Sequence, residues 1–327
     1  MSTLTIDYDK LHTGLADVMT SMAAQSTNSE LSAKLDAFIP GPGRATARAT
    51  APKKVVSMIT PDSFTADEKY KRPNGEWYFT RMWGEHHDVA VLRKAREDKH
   101  FVLLYGAPGC GKTALVQAAF DDYETILGTG DTEIADFIGG YIQTPSGGFD
   151  WVDGPLLKAA ERGVPLFIDE VGLVDPKVMS VVYSFMDGTG TYNVTANPER
   201  GIVRAKEGFY VLAATNPNAP GVRLSEALLS RFIIQTEMTT DWSLARKLGA
   251  PSTIVTAAQN LAKKQQAGEV SWAPQMRELL GFRDLATTFG TKFAIANLLA
   301  ASPELDRPVV ADVFTRVFGE ECRPAKI

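Results

Sequence analysis

The stretch that most constrains this chain runs from residue 101 to 114 and reads "FVLLYGAPGCGKTA". "FVLLY" is an unbroken apolar run of strand length, and "ALVQAAF" beyond the loop has helical composition. The glycine-rich residues between them must therefore carry the chain out of a strand and into a helix. Gly106, Ala107, Pro108, Gly109, Cys110, Gly111, Lys112 and Thr113 fit G-x-x-x-x-G-K-[ST], in the strand-before, helix-after setting that this pattern requires. Three glycines let the backbone curl until successive N–H groups point inward, and the helix N-terminus adds the positive end of its dipole, so phosphate is the natural occupant. Lys112 is then expected at the β- and γ-phosphates of a nucleotide and Thr113 at Mg²⁺, with Ala114 counted in the cradle. The bland alternative is a glycine-rich turn without a ligand, and the context speaks against it.

A strand that is apolar on both faces needs cover on both. "VPLFIDE" (164 to 170) and "GFYVLAATN" (208 to 216) are further continuous apolar runs, and "TILGTG" (125 to 130) and "FIIQTEM" (232 to 238) are weaker ones. Separated by helical patterns, they predict an α/β fold with a parallel sheet covered on both sides and functional groups at the carboxyl ends of its strands. A hydrophobic fraction of 44% supplies the core. From Thr240 the strand signals vanish; four or five helical patterns broken by Gly249, Pro251, Gly268, Pro274, Gly290 and Pro303 predict a small helical domain. The expected organisation is a helical extension (1–39), a linker (40–75), an α/β nucleotide-binding domain (76–240) and the helical domain (241–327). Leu11, Leu15, Val18, Met19 and Met22 predict an amphipathic helix over 7–24, packing on its own domain or on a neighbouring subunit. "PGPGRATARATAPKK" (40 to 54) is read as a solvated tether.

The second apolar run ends in two carboxylates, Asp169 and Glu170. Neighbours on a strand point to opposite sides, so one can serve a Mg²⁺ shell while the other faces a water aligned on the γ-phosphate. Asp169 is assigned to the metal beside Thr113, and Glu170 to activating the water. Asn216 ends the third run; its amide can donate to and accept from that water, although Asn-Pro alone is also a turn signal. Arg231 ends "LSEALLSRF", either as a cap on its helix or projecting into a neighbour's nucleotide site.

The order of phosphate loop, "LFIDE", "ATN" and "SRF" ahead of an all-helical domain resembles the AAA+ ATPases over residues 76 to 320, and within them the MoxR-like branch (AAA_5, dynein-related type). The resemblance implies a parallel-sheet P-loop NTPase core with a C-terminal helical lid. It makes Lys112 and Thr113 Walker A, Asp169 and Glu170 Walker B, Asn216 sensor 1, and Arg231 an arginine finger supplied in trans. "SWAPQMRELL" is similar to the family's Ser-Pro-Arg helix start, which points to Arg277 as sensor 2, with Arg283 left open because the spacing departs from the pattern. ATP and Mg²⁺ are the implied cofactors, and the preference for ATP over GTP rests on the family alone. A homo-oligomeric, hexameric ring that remodels or activates a protein client is implied, with a von Willebrand factor A domain protein as a partner of the kind this branch uses.

The branch also carries two inserted hairpins, matched here by residues 139 to 155 and 190 to 209, whose turn-rich texture agrees. Such hairpins project toward the ring's pore, which gives Tyr141, Phe149 and Trp151 a role against a client; the glycines and acids of "GGFDWVDGP" (147 to 155) predict exposure for Trp151, and the alternative is that it folds back to cover the "LLKAAERG" helix (156 to 163). The rival is a nucleic-acid translocating NTPase of restriction or phage/mobile-element type. A net charge of −5 and Asp150 and Asp153 beside these aromatics oppose a phosphate backbone. Cys110 and Cys322 are far apart, the first residues lack a basic-then-apolar leader, and no stretch approaches ~18 consecutive apolar residues; a cytoplasmic protein without a membrane partner is expected. His86 and His87 read as surface or cap residues. Trp77, Tyr78, Phe79 and Trp83 precede the first strand, where family members fold a segment against the adenine, and are expected chiefly to pack on the domain.

Overall fold

A computed structural model describes residues 68 to 325. The helix expected over 7–24 and the tether over 40–54 lie outside the described residues. Two short antiparallel pairs come first, β1 (Lys69–Lys71) with β2 (Trp77–Phe79) and β3 (Met82–Trp83) with β4 (His86–His87). β1 falls inside the stretch read as linker: "KYK" has no apolar run to announce a strand, and it is held by pairing Lys69 to Phe79 and Lys71 to Trp77. Then follow α1 (Asp88–Glu97), β5 (Val102–Tyr105), α2 (Lys112–Ala119), β6 (Glu124–Leu127), α3 (Ile134–Ile138), the hairpin β7 (Gly139–Gln143) and β8 (Phe149–Asp153), α4 (Pro155–Arg162) and β9 (Pro165–Asp169). A 3₁₀ turn (Val171–Leu173) leads to α5 (Ser180–Met186), the hairpin β10 (Thr191–Asn193) and β11 (Ile202–Arg204), β12 (Tyr210–Thr215), α6 (Glu226–Leu229) and β13 (Ile234–Glu237).

The five expected strands form one parallel sheet in the order β13-β5-β12-β9-β6. Side chains alternate across it as strand geometry demands. Leu103, Leu166, Ile168, Val211 and Ala213 join a core with Phe137, Leu156, Leu157 and Val182 from α3, α4 and α5. Val102, Leu104, Phe167, Tyr210 and Leu212 join the opposite core with Val89, Leu92, Leu115 and Val116 from α1 and α2. Tyr210 is fully buried and its hydroxyl donates to the His100 carbonyl at 2.9 Å. Tyr210→Ala removes both the ring and that bond, a loss of about 3–5 kcal/mol. With β12 between β5 and β9, the carboxyl ends that carry the phosphate loop, the acidic pair and Asn216 are adjacent.

Beyond the sheet come α7 (Trp242–Lys247), α8 (Ser252–Gln266), α9 (Met276–Phe289), α10 (Thr291–Ala301) and α11 (Arg307–Phe318). They close around their own core, including Ile254, Leu261, Leu279, Phe282, Leu299 and Phe314. Asp241 caps α7, and a reciprocal pair of side chain to backbone bonds between Gln275 and Glu278 starts α9. No helix among the described residues is long and apolar enough to cross a membrane.

Candidate functional site

The phosphate loop is shaped by what only glycine can do. Gly106 has φ +152°, and a Cβ there would sit 2.3 Å from the Met238 carbonyl oxygen at the end of β13. Its N–H donates to the Thr215 carbonyl at 3.1 Å, which ties the start of the loop to the end of β12. Lys112, buried at the first turn of α2, donates from Nζ to the carbonyls of Gly106 (2.8 Å) and Ala107 (3.2 Å), so its ammonium lies over the loop. The Thr113 hydroxyl donates to Asp169 Oδ2 at 2.9 Å across 56 residues of sequence. Pro108 is exposed, Cys110 is buried, and Ala114 packs at the edge of the core beneath α2.

Glu170 departs from simple strand alternation. β9 ends at Asp169, and Glu170 turns the chain in the left-handed region (φ +53°, ψ +40°). The side-to-side division expected of two neighbouring strand residues therefore does not arise from the pleat. The turn itself separates the two carboxylates, and Asp169 Oδ1 stabilises it by accepting from the Glu170 N–H at 3.1 Å. A non-glycine residue held there costs about 1–3 kcal/mol, a cost met at sites where a side chain must be aimed. Glu170 Oε2 accepts from the Asn216 N–H at 3.2 Å. It is the Asn216 backbone that touches the acid, while its side-chain Oδ1 accepts from the Asn218 N–H at 3.2 Å. Asn216 thus forms the turn and adjoins the acidic pair at once.

Arg277 lies against the loop: its N–H donates to the Gly109 carbonyl at 3.2 Å, and its Cβ is 3.1 Å from where a Gly109 side chain would begin. Arg283 is turned elsewhere, donating to the Leu248 carbonyl at 2.6 Å and pairing with Asp284. Arg231 does not join the cluster within its own chain. Its guanidinium grips both oxygens of Asp187 at 2.7 Å, donates to the Ala227 carbonyl and lies 4.0 Å from the centre of the Tyr183 ring.

No motif or spacing announces Arg81. From within the aromatic cluster its guanidinium donates to the Cys110 carbonyl in the loop (2.9 Å) and to the Thr239 carbonyl after β13 (3.2 Å). It also meets the Tyr78 hydroxyl and pairs with Asp88 at 3.6 Å. Burial raises the Asp88 carboxyl above its usual range, against the opposing pull of Tyr78 and Arg81. Arg81, Met82, Trp83, Leu115, Met238 and Asp241 are among the residues lining a cavity of about 380 Å³ beside the loop. A larger cleft of about 830 Å³, at the amino ends of the strands, holds none of the candidate groups. Its Arg93 and Arg96 are engaged with the carbonyls of Ala119, Gly163 and Gly208.

Among the described residues no three His, Cys, Asp or Glu side chains gather as a metal cluster. Thr113 and Asp169 instead offer one hydroxyl and one carboxylate side by side, the sparse hard-oxygen set that Mg²⁺ completes with phosphate and water. His87 occupies the N-cap position of α1 without a side-chain capping bond, and its Nδ1 lies 3.0 Å from the Thr80 hydroxyl.

On the first hairpin, Phe149 is 66% exposed and Tyr141 and Ile142 are each 54% exposed. Trp151 differs from the exposure its flanks predict. It is half-buried against the core that includes Leu156 and Leu157 of α4, and it meets Tyr141, its partner across the hairpin register, edge-on at 5.3 Å. Its indole N–H donates to Asp153 Oδ1 at 2.7 Å. Arg200, from the loop of the second hairpin, binds both oxygens of Asp153 and pairs with Glu161 at 2.7 Å. Arg200 and Trp151 hold the Asp153 carboxyl below its usual range.

The sequence profile of the AAA domain (dynein-related subfamily) matches residues 101–232. The uncharacterized protein YojN of Bacillus subtilis (strain 168) is 30% identical over 230 residues, covering 64% of this chain and 75% of the relative. An uncharacterized protein of Staphylococcus aureus (strain NCTC 8325 / PS 47) is 27% identical over 227 residues, covering 63% and 85%. Among solved structures, a candidate ATPase from Cytophaga hutchinsonii ATCC 33406 is 18% identical with a TM-score of 0.39, covering 68% of this chain and 78% of that one. The profile lies across the same strands whose ends meet at Lys112, Asp169 and Asn216, and the bacterial relative extends the likeness well beyond it: the chain belongs to the AAA ATPase family, in its dynein-related subfamily.

Proposed function

We propose that the protein is a Mg²⁺-dependent ATPase of the MoxR-like type that works as a hexameric ring and uses hydrolysis to remodel or activate a protein partner. One observation carries this above the others: the Thr113 hydroxyl bonded to Asp169, with Glu170 held by Asn216 at the next strand end. Lys112 would exchange the Gly106 and Ala107 carbonyls for β- and γ-phosphate oxygens. Thr113 and Asp169 would hold Mg²⁺, which when bound neutralises phosphate charge. Glu170 orients the attacking water and takes up its proton, with Asn216 aligning the pair. Arg277, against the loop, reaches the phosphates from the helical lid.

Arg231 acts in a neighbouring subunit's site, after leaving Asp187. A finger of this kind contributes roughly 10³ to 10⁵ in rate, so assembly is part of the active site. The exposed Phe149, Tyr141 and Ile142 offer a client an apolar grip without a demand for sequence. A von Willebrand factor A domain protein is the partner of choice, and two free, buried cysteines suit the cytoplasm.

The test is hydrolysis measured against protein concentration with Mg²⁺ and with chelator. Specific activity rises steeply with concentration and vanishes with the chelator. Arg231→Ala and Glu170→Gln proteins, each inactive alone, regain activity when mixed, because some interfaces then join two intact halves. No recovery in mixed rings of confirmed mass would remove the trans role of Arg231.

A further inference from the structure

A phosphate loop binds through N–H groups, so something must keep those groups facing inward. In a planar trans peptide the C=O and the next N–H lie in one plane and point in opposite directions. Whatever anchors a loop carbonyl on the outside therefore aims the following N–H at the inside. Among the described residues, two such anchors touch this loop. The Arg277 N–H holds the Gly109 carbonyl at 3.2 Å, and Arg81 Nη1 holds the Cys110 carbonyl at 2.9 Å. The second anchor sets the peptide that ends in the Gly111 N–H, immediately before Lys112.

Arg81 is built into its place. Its side chain is only 12% exposed and reaches Cys110, Thr239, Tyr78 and Asp88 at once. A side chain on Gly111 would begin 3.1 Å from Arg81 Nη2, so the bare face of that glycine is where the guanidinium packs. The far anchor also matters. Thr239 precedes Thr240, whose hydroxyl donates to Gln275 at 2.8 Å and accepts from the Met276 N–H at 3.1 Å, at the start of the helix that carries Arg277. Both loop anchors therefore meet at one junction.

We infer that Arg81 is a positioning residue that fixes the Cys110–Gly111 peptide plane, aims the Gly111 N–H at the β-phosphate of a bound nucleotide, and so sets how strongly this site discriminates nucleoside diphosphates and triphosphates from monophosphates. This rests on the nucleotide-binding role proposed above. The planar guanidinium spreads its donors, Nη1 to the two carbonyls and Nη2 to the Tyr78 hydroxyl; a lysine in its place keeps the charge beside Asp88 but gathers its donors on one atom at the end of a flexible stem and loses the fork.

The experiment is calorimetric titration of ADP and of AMP into the full chain, for the native protein and for Arg81→Lys, with the melting temperature of each. The native protein binds ADP well above AMP. Arg81→Lys lowers ADP affinity about tenfold or more and leaves AMP affinity within about twofold, because only the donor facing the β-phosphate has turned away. If Arg81→Lys does not fold, Arg81→Gln with Asp88→Asn removes both charges together and is held to the same ratio. An unchanged ADP affinity, or equal losses for ADP and AMP, overturns the inference. A native protein that binds ADP no better than AMP would instead sink the nucleotide site itself, so the two failures are distinguishable.

Discussion

Trp151→Ala and Phe149→Ala should behave as opposites, although the two residues sit two positions apart on one strand. A Trp side chain buries about 150–250 Å² when fully covered, so the half-buried Trp151 keeps about 100 Å² from water, worth about 2.5 kcal/mol at 25 cal/mol/Å². Loss of the indole bond to Asp153 adds about 0.5–1 kcal/mol, kept small because Arg200 continues to satisfy that carboxylate. The total is about 3 kcal/mol, or a Tm fall of roughly 6–12 °C in a domain of this size. Phe149, 66% exposed, should change stability by less than about 0.5 kcal/mol on truncation. Trp151→Phe keeps most of the ring and should lose about 1 kcal/mol. Urea unfolding followed by circular dichroism measures all three. A loss below about 1 kcal/mol for Trp151→Ala would mean that the hairpin stands free of the core, and the division between an anchoring Trp151 and a client-facing Phe149 would fail.

Three further outcomes are expected. The Asp153 carboxyl has a folded value below its unfolded value of about 3.9, so its pairing with Arg200 stabilises the protein above that pH and is lost as pH falls through the lower folded value; the coupling in a double-mutant cycle should be about 1 kcal/mol at pH 7 and should decline steadily as the solution is acidified below the unfolded value. Gly106→Ala should abolish nucleotide binding and cost upwards of about 2 kcal/mol in thermal melts, since its new methyl meets the Met238 carbonyl. Arg231→Ala should leave the melting temperature nearly unchanged, because its pairing with the half-exposed Asp187 contributes under about 1 kcal/mol, yet reduce hydrolysis by about 10³ or more.

The parallel sheet was legible because burial on both faces writes itself as continuous apolar runs, and all five runs became its strands. Lys112 and Thr113 were legible because the fixed local spacing of the loop places them, and Asp169 because it ends an apolar strand run whose carboxyl end lies near the loop. Glu170 was only half legible: its neighbourhood followed from strand order, but the left-handed turn that aims it breaks the alternation on which its direction was argued. β1 escaped notice because three residues rich in lysine form a strand only through their partner. Arg81 escaped for a deeper reason. What it does depends on two carbonyls, 29 and 158 residues away, and carbonyl directions leave no trace in side-chain identity. Trp151 stood between two readings because turn residues on both flanks announce a hairpin without saying which of its faces meets the domain; its packing against the core that includes Leu156 and Leu157 follows the folded-back one.

The role proposed for this cluster is to hydrolyse a nucleotide and not only to hold one. Nucleotide affinity and steady-state turnover, measured on the same preparations of Glu170→Gln and Lys112→Ala, separate the two. Glu170→Gln should bind ATP as the native protein does and turn over at least about a hundredfold more slowly, whereas Lys112→Ala should lose binding itself. Undiminished turnover in Glu170→Gln, with binding intact, would contradict the assignment of the acid and leave the chemistry of this site without its base.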